Sequence, residues 1–361
     1  MPDYATLALH GDPYTMGRQH GQQVLHLRSK IAKAIDARFR QLELDGPDAR
    51  FETLVQDTRV LLEEVDPPLL AMIRGQAEAL AFDFDTLLSY NLVAFLRDDL
   101  LVRHAVDVEG CTTWVASGSA TAGGQPILAK NRDYRPDHLP LQNVVHAKPD
   151  TGYAYLYVSS AGSPGVFSAG INQTGLAIAD THVYSTDLGP GLPSYALMMH
   201  VLEGHDSVSS ALDYLRATPR LGRNNLILAD ATGHMAVFEG GHTRHGLFES
   251  HDGALVNTNH FASNEMRGYF AAVDPPLARG RSLGRHEMVS RTLARASGRI
   301  DPLFAQELAA AHDGPLSSIC CHPEADTDVT TISASIFLPR QRQMLFCHGL
   351  PCRGQFDRFS V

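Results

Sequence analysis

Along the first hundred residues, apolar side chains recur three and four positions apart, the period of one buried helix face. That spacing predicts a helical segment with helices over 14–31, 51–62, 68–80 and 84–96. Asp12 and Thr15 both suit the cap of the first helix, and Pro67-Pro68 marks the start of the third. From Cys111 the period falls toward two. Strands are predicted over 112–117, 125–131, 144–148, 153–159, 165–170 and 175–179, separated by Gly, Pro, Asn and Asp turns. Helical spacing returns over 195–202 and 208–216. A hairpin follows, 225–230 with 236–239, turning at Ala231-Thr232-Gly233, then a strand at 254–257. Helices at 282–296 and 302–311 precede a last hairpin, 333–338 with 343–347. Strand-rich stretches flanked by paired helices predict an α+β fold, two sheets with helices covering both outer faces.

Charge narrows the partners. The 361-residue chain carries a net charge of −10 with a pI near 5.9 and no Lys/Arg-rich run. Nucleic acid is therefore not an expected partner, because phosphate binding needs clustered cations. No apolar run has the length of a membrane span, and Met1–Tyr4 lacks the basic start of a secretory signal. Five cysteines, odd in number and scattered, do not make a disulfide framework. A reduced, cytoplasmic protein is the expectation.

The strongest chemical signal is Gly110-Cys111-Thr112-Thr113-Trp114, followed by Asn131-Arg132-Asp133. A thiol attacking the carbonyl before it needs space there, and glycine supplies it. An N-to-S acyl shift followed by hydrolysis would release Gly110 and leave Cys111 with a free α-amino group. That amine titrates at about 7.7–8.0 and a thiol at about 8.5, so proton transfer between them is nearly thermoneutral. One residue would then hold both nucleophile and base. Thr112 is a further candidate for the processing step. Cys320-Cys321-His322, Cys347-His348 and Cys352 follow no C-x₂₋₄-C spacing, and adjacent cysteines seldom ligate one ion, so no metal is expected.

Many short pieces, in order, resemble one family. They are Gly17-Arg-Gln-His-Gly21, Gly110-Cys-Thr-Thr113, Asn131-Arg-Asp133, Asn172-Gln-Thr-Gly-Leu176 and Asn225-Leu-Ile-Leu-Ala-Asp230 ending at Glu239. Thr258-Asn-His-Phe261, Ser318-Ile-Cys-Cys-His322, 331–335 and Gly349-Leu-Pro-Cys352 complete the set. The chain resembles the acyl-coenzyme A:6-aminopenicillanic acid acyltransferase family of N-terminal-nucleophile hydrolases, and more distantly the choloylglycine hydrolases.

The resemblance implies a four-layer αββα fold with an N-terminal helical segment. It would be made as one precursor and cut into a small chain, 1–110, and a large chain, 111–361, that stay together. It implies Cys111 as nucleophile, Asp133 beside the new amine and the Asn225 amide at the oxyanion. Asn225 is preferred to Asn224 because the Leu-Ile-Leu-Ala-Asp run begins directly after it. Lys130 stands where choloylglycine hydrolases resemble one another in carrying arginine. Lys130 and Asn131 are candidates for substrate binding, as are Thr181 and His182, which replace an asparagine of those hydrolases. Asn259 and His260 are placed near the site by the same resemblance.

The implied reaction is cleavage or transfer of an acyl group on a small amide, acyl-amino-acid or peptide-like substrate through a Cys111 thioester. The acceptor would be an amine or water. No bound cofactor is expected; acyl-coenzyme A enters only as a candidate donor substrate. The competing expectation is an unprocessed, catalytically silent relative that acts as a binding or scaffold protein.

Overall fold

The computed structural model describes residues 4–45, 49–96, 110–271, 275–314, 316–322 and 329–361. Two sheets lie face to face. The larger has eight strands in the order β1-β4-β5-β6-β7-β8-β9-β10. These are β1 (Ala5–Gly11), β4 (Gln142–Pro149), β5 (Tyr155–Ser160), β6 (Ala169–Asn172), β7 (Ala177–His182), β8 (Asn224–Ala229), β9 (Met235–Gly240) and β10 (His245–Ser250). The smaller runs β11-β2-β3-β12-β13-β14. Its strands are β2 (Thr112–Gly118), β3 (Gly124–Tyr134), β11 (Gly253–Asn257), β12 (Thr330–Leu338), β13 (Gln343–His348) and β14 (Asp357–Ser360).

Alternation along the strands sorts side chains into three apolar layers. On β2 and β3, Val115 and Leu128 face the other sheet and pack with Val158, Ile171 and Phe346. Trp114, Ile127 and Ala129 face outward onto α8 (Pro275–Arg295) and α9 (Pro302–Ala309). The outer face of the larger sheet packs on α1 (Pro13–Gln23), α2 (Arg28–Asp45), α3 (Ala49–Val65), α4 (Pro67–Leu80) and α5 (Phe84–Leu96). Also on that face are α6 (Ser194–Gly204) and α7 (Val208–Ala217). Helices, sheet, sheet, helices: the αββα order holds.

The N-terminal segment is not wholly helical. Its first element is β1, which pairs in parallel with β4 and buries Leu7 and Leu9 on alternate positions. It therefore supplies an edge strand of the larger sheet. The helix predicted over 14–31 breaks at Val24 into α1 and α2, with Asp12 capping α1 through the Thr15 N–H. Gly17 and Gly75 let α1 and α4 touch backbone to backbone. A Cβ on Gly17 would meet the Met72 carbonyl oxygen at 2.0 Å. The Gly-Arg-Gln-His-Gly motif thus serves helix packing. The predicted strand at 165–170 is displaced to β6, and β10 and β14 add to the predicted set. Of the linker-like stretch Val106 to Gly110 that precedes Cys111 in the sequence, residues 106–109 lie outside the described residues.

Candidate active site

Cys111 precedes β2, buried at one end of the sheet sandwich. It lines a cavity of about 70 Å³ with Asp133, Arg132, Lys130, Asp180, His182 and Asn224. Tyr90, Tyr134 and Phe167 add aromatic surface. The thiol reaches the backbone oxygen of Asp133 at 3.9 Å.

Asp133 sits directly against Gly110. A Cβ on Gly110 would fall 2.8 Å from Asp133 Oδ2, so only glycine leaves that carboxyl undisturbed. Oδ1 accepts the Thr331 hydroxyl at 2.6 Å. Thr331 is the cross-strand partner of Asp133, and the β3–β12 register shifts directly after it, between Thr331 and Ser333. Burial raises the Asp133 carboxyl to about 7, against the opposing pull of Arg285, Thr331 and Lys130. A carboxyl poised there can take and return a proton near neutral pH.

Arg285, on α8, was missed in the sequence and lies at the centre of the geometry. Its Nη1 donates to the Gly110 carbonyl at 2.6 Å, the Cys111 carbonyl at 2.6 Å and the Thr112 hydroxyl at 2.8 Å. Nη2 donates to Asn259 Oδ1 at 2.9 Å. Asn259 is fixed in turn by donating to the His182 carbonyl at 2.9 Å. A buried guanidinium therefore grips the carbonyl that precedes Cys111, and Asn259 orients it. A signal was present: Ser282, Arg285, Val289 and Leu293 fall at helical spacing and are all buried. An arginine on an apolar stripe needs a buried partner.

Asn225 is not among the residues that line this cavity. Its amide nitrogen donates to Asn257 Oδ1, Thr258 O and His260 O at 2.9, 3.1 and 3.0 Å, tying β8 to the chain after β11. Asn224, one residue earlier and on the opposite face of β8, lines the cavity. Its amide nitrogen is buried without a hydrogen-bond partner among the described residues. The sequence preferred Asn225 for the oxyanion; of the two neighbours, Asn224 is the one that lines the cavity.

The substrate-binding candidates divide in the same way. Lys130 lines the cavity, but its ammonium is engaged by Asp180 Oδ1, Asp180 O and Ser168 O at 2.5, 2.7 and 3.1 Å. It acts as a strut between the sheets. Asn131 points to the outer face, donating to Ala309 O and Ile319 O at 2.9 and 3.0 Å. Thr181 shares the Asn257 and Thr258 acceptors used by Asn225. His260 contacts the Ser282 hydroxyl at 2.8 Å, beside α8. Of the six, Lys130 and His182 line the cavity.

The family model for acyl-coenzyme A:6-aminopenicillanic acid acyl-transferase matches residues 120–352, well over half of the chain. The chain belongs to this family. The matched stretch carries Asp133, Asn224 and Arg285 and starts after Cys111. Similar solved structures include two variants of conjugated bile acid hydrolase from Clostridium perfringens. They are 15% and 14% identical, with TM-scores of 0.49 and 0.47, each matching 70% of this chain and 92% and 97% of theirs. Penicillin V acylase from Agrobacterium tumefaciens is 17% identical, with a TM-score of 0.37, over 66% of this chain and 83% of its own. No curated protein matches the chain. Among the described residues, no helix is long and apolar enough to cross a membrane.

Proposed function

We propose that this protein is a self-processing cysteine acyltransferase or amidohydrolase acting on small amide or acyl-amino-acid substrates through a Cys111 thioester. One observation carries the reading: the Arg285 guanidinium on the Gly110 carbonyl, with Asp133 against Gly110 and the Cys111 thiol in the same cavity.

In the processing step the Cys111 sulfur attacks the Gly110 carbonyl carbon. The oxygen that gains charge is the one Arg285 already holds, so stabilisation needs no rearrangement. Asp133 takes the thiol proton and passes it to the departing Cys111 nitrogen. Water then cleaves the thioester, releasing the Gly110 carboxylate and leaving thiol and amine on Cys111. β1 and the N-terminal helices stay packed on the larger sheet, so both chains remain one folded unit.

In turnover the thiol attacks the substrate carbonyl, the amine or thiol leaving group takes a proton, and water or an amine removes the acyl group. Asn224, facing the cavity, is the side-chain donor for this second oxyanion. Tyr90, Tyr134 and Phe167 suit an apolar acyl group. Hydrolase and transferase share these steps and differ in the acceptor.

The experiment is to incubate processed protein with a panel of acyl amides and acyl-coenzyme A thioesters, then map the acylated peptide. The expected result is an acyl mass on the peptide that begins at Cys111. Turnover with the acyl group elsewhere, or turnover by Cys111→Ala, contradicts the proposal.

A further inference from the structure

On the Thr331 side of Asp133, four side chains with metal-binding atoms converge. The ligand atoms of His312, Cys320, His322 and Cys352 all lie within 4.8 Å of one another. His312 Nε2 and His322 Nε2 are 3.1 Å apart, and His322 Nε2 is 3.2 Å from Cys352 Sγ. One ring nitrogen holds either a proton or a lone pair, so His322 Nε2 cannot satisfy both neighbours equally well. A cation between them resolves the conflict, because all four atoms then direct lone pairs inward. Zinc bonds of about 2.0–2.1 Å to nitrogen and 2.3 Å to sulfur place the corners of a tetrahedron roughly 3.3–3.8 Å apart. The separations of 3.1 and 3.2 Å, in a group whose ligand atoms all lie within 4.8 Å of one another, are on that scale.

We propose that His312, Cys320, His322 and Cys352 form a closed, structural zinc site. Two thiolates balance the charge of Zn²⁺, and four protein ligands leave no open position for chemistry. Three chain segments bring the ligands together, each pinned by its own backbone. The Ala311 carbonyl accepts the N–H groups of both Ile319 and Cys320, closing the loop that carries His312 and Cys320. The N–H groups of Arg353 and Gly354 close the turn around Cys352 onto the Leu350 carbonyl. The Cys352 backbone N–H also reaches the Cys320 sulfur, a usual outer contact of a metal thiolate. Cys321 is outside the set, its sulfur facing the His322 and Val329 carbonyls. Adjacent cysteines argued against metal in the sequence; the fold selects one of the pair.

The site has a consequence for Asp133. The Cys321 N–H donates to Thr331 Oγ1 at 2.8 Å, and the Cys321 carbonyl accepts the Thr331 N–H at 2.9 Å. Thr331 Oγ1 holds Asp133. Zinc would fix the strip that carries this relay, making its ligands positioning residues.

The test uses the full chain and zinc alone, and reads metal rather than activity. Wild-type protein stripped with a chelator is expected to rebind one equivalent of Zn²⁺ and recover the thermal stability lost on stripping. Co²⁺ in its place should give the charge-transfer absorption of thiolate ligands and the visible bands of a tetrahedral ion. His322→Ala and Cys352→Ser should each weaken Zn²⁺ binding by more than the ~10–100-fold that outer-contact losses cost. Cys321→Ser should bind as wild type does. If a ligand variant does not fold, the wild-type cobalt spectrum decides alone. Absence of the thiolate bands, unchanged affinity in His322→Ala, or a Cys320–Cys352 disulfide in the non-reduced peptide map overturns the proposal.

Discussion

Asp133 has two flanks, and they are built differently. Toward Cys111, the chain leaves a carboxyl raised to about 7, a glycine with no room for a side chain and a guanidinium on a backbone carbonyl. Toward Cys320, hydrogen bonds knit backbone to backbone through Thr331 and Cys321, and the ionisable groups cluster among themselves. The first flank stores groups in states that are costly to bury, which is what proton transfer and oxyanion binding require. The second supplies rigidity. A site needs both: reactive groups, and a frame that holds them within fractions of an ångström.

Replacing Asp133 should separate the flanks most sharply. Asp133→Asn is expected to slow processing by about 10²–10⁴-fold, the usual value of a positioned proton carrier. In wild type the rate should rise with pH around a midpoint near 7, where this carboxyl ionises; the variant should lose that limb. Stability should move the opposite way. Because the folded carboxyl is raised above its ordinary value, the native state binds more protons between about pH 4 and 7 than the unfolded chain. Wild-type stability should therefore fall as pH rises through that window, and Asp133→Asn should abolish the fall in denaturant titrations.

Arg285→Ala comes next, with processing slowed about 10²–10³-fold, the cost of losing one preorganised oxyanion donor. Its loss should also move the pH midpoint upward, because Arg285 favours the ionised form of Asp133. A midpoint unchanged in the time course of fragment formation would break the link between the two.

The neighbouring asparagines give a paired prediction. Asn224→Ala should lower acyl transfer by about 100-fold with little change in melting temperature. Asn225→Ala should cost about 1–3 kcal/mol of stability in denaturant unfolding, because buried carbonyls of Thr258 and His260 lose their donor. The reverse pattern would return the oxyanion role to Asn225. The smallest effect should be Thr331→Val, which removes one hydrogen bond to the carboxylate. It should shift the pH midpoint of processing upward, because the Thr331 hydroxyl favours the ionised carboxylate.

How much of this could be read from the chain follows from the physics of each signal. Strands β2, β3, β11, β12 and β13 of the smaller sheet divide their side chains between two apolar layers, so they were legible as short apolar runs bounded by turn residues. β1 escaped because seven residues with two buried leucines are a weak pattern beside long helices. Cys111 and Asp133 were singled out by spacing and family resemblance, and both line one cavity. Asn131 could have been set apart from Lys130 by alternation alone, since neighbouring residues on β3 face opposite ways. Arg285 was hidden in an arginine-rich helix, where only its place on the buried stripe distinguishes it. In the His312–Cys352 cluster, Cys320, His322 and Cys352 were weighed for metal in the sequence and set aside on spacing, and His312 gave no signal, because sequence spacing carries no record of how loops meet.

The central claim is that Cys111 becomes a chain terminus. Intact mass and N-terminal sequencing of freshly purified wild type and Cys111→Ala test it most directly. The account predicts two wild-type fragments, one beginning at Cys111, whose masses sum to the 39.3 kDa chain plus one water, and a single uncut Cys111→Ala species. An uncut wild-type chain that turns over substrate, or a Cys111→Ala chain cut at the same bond, would contradict it.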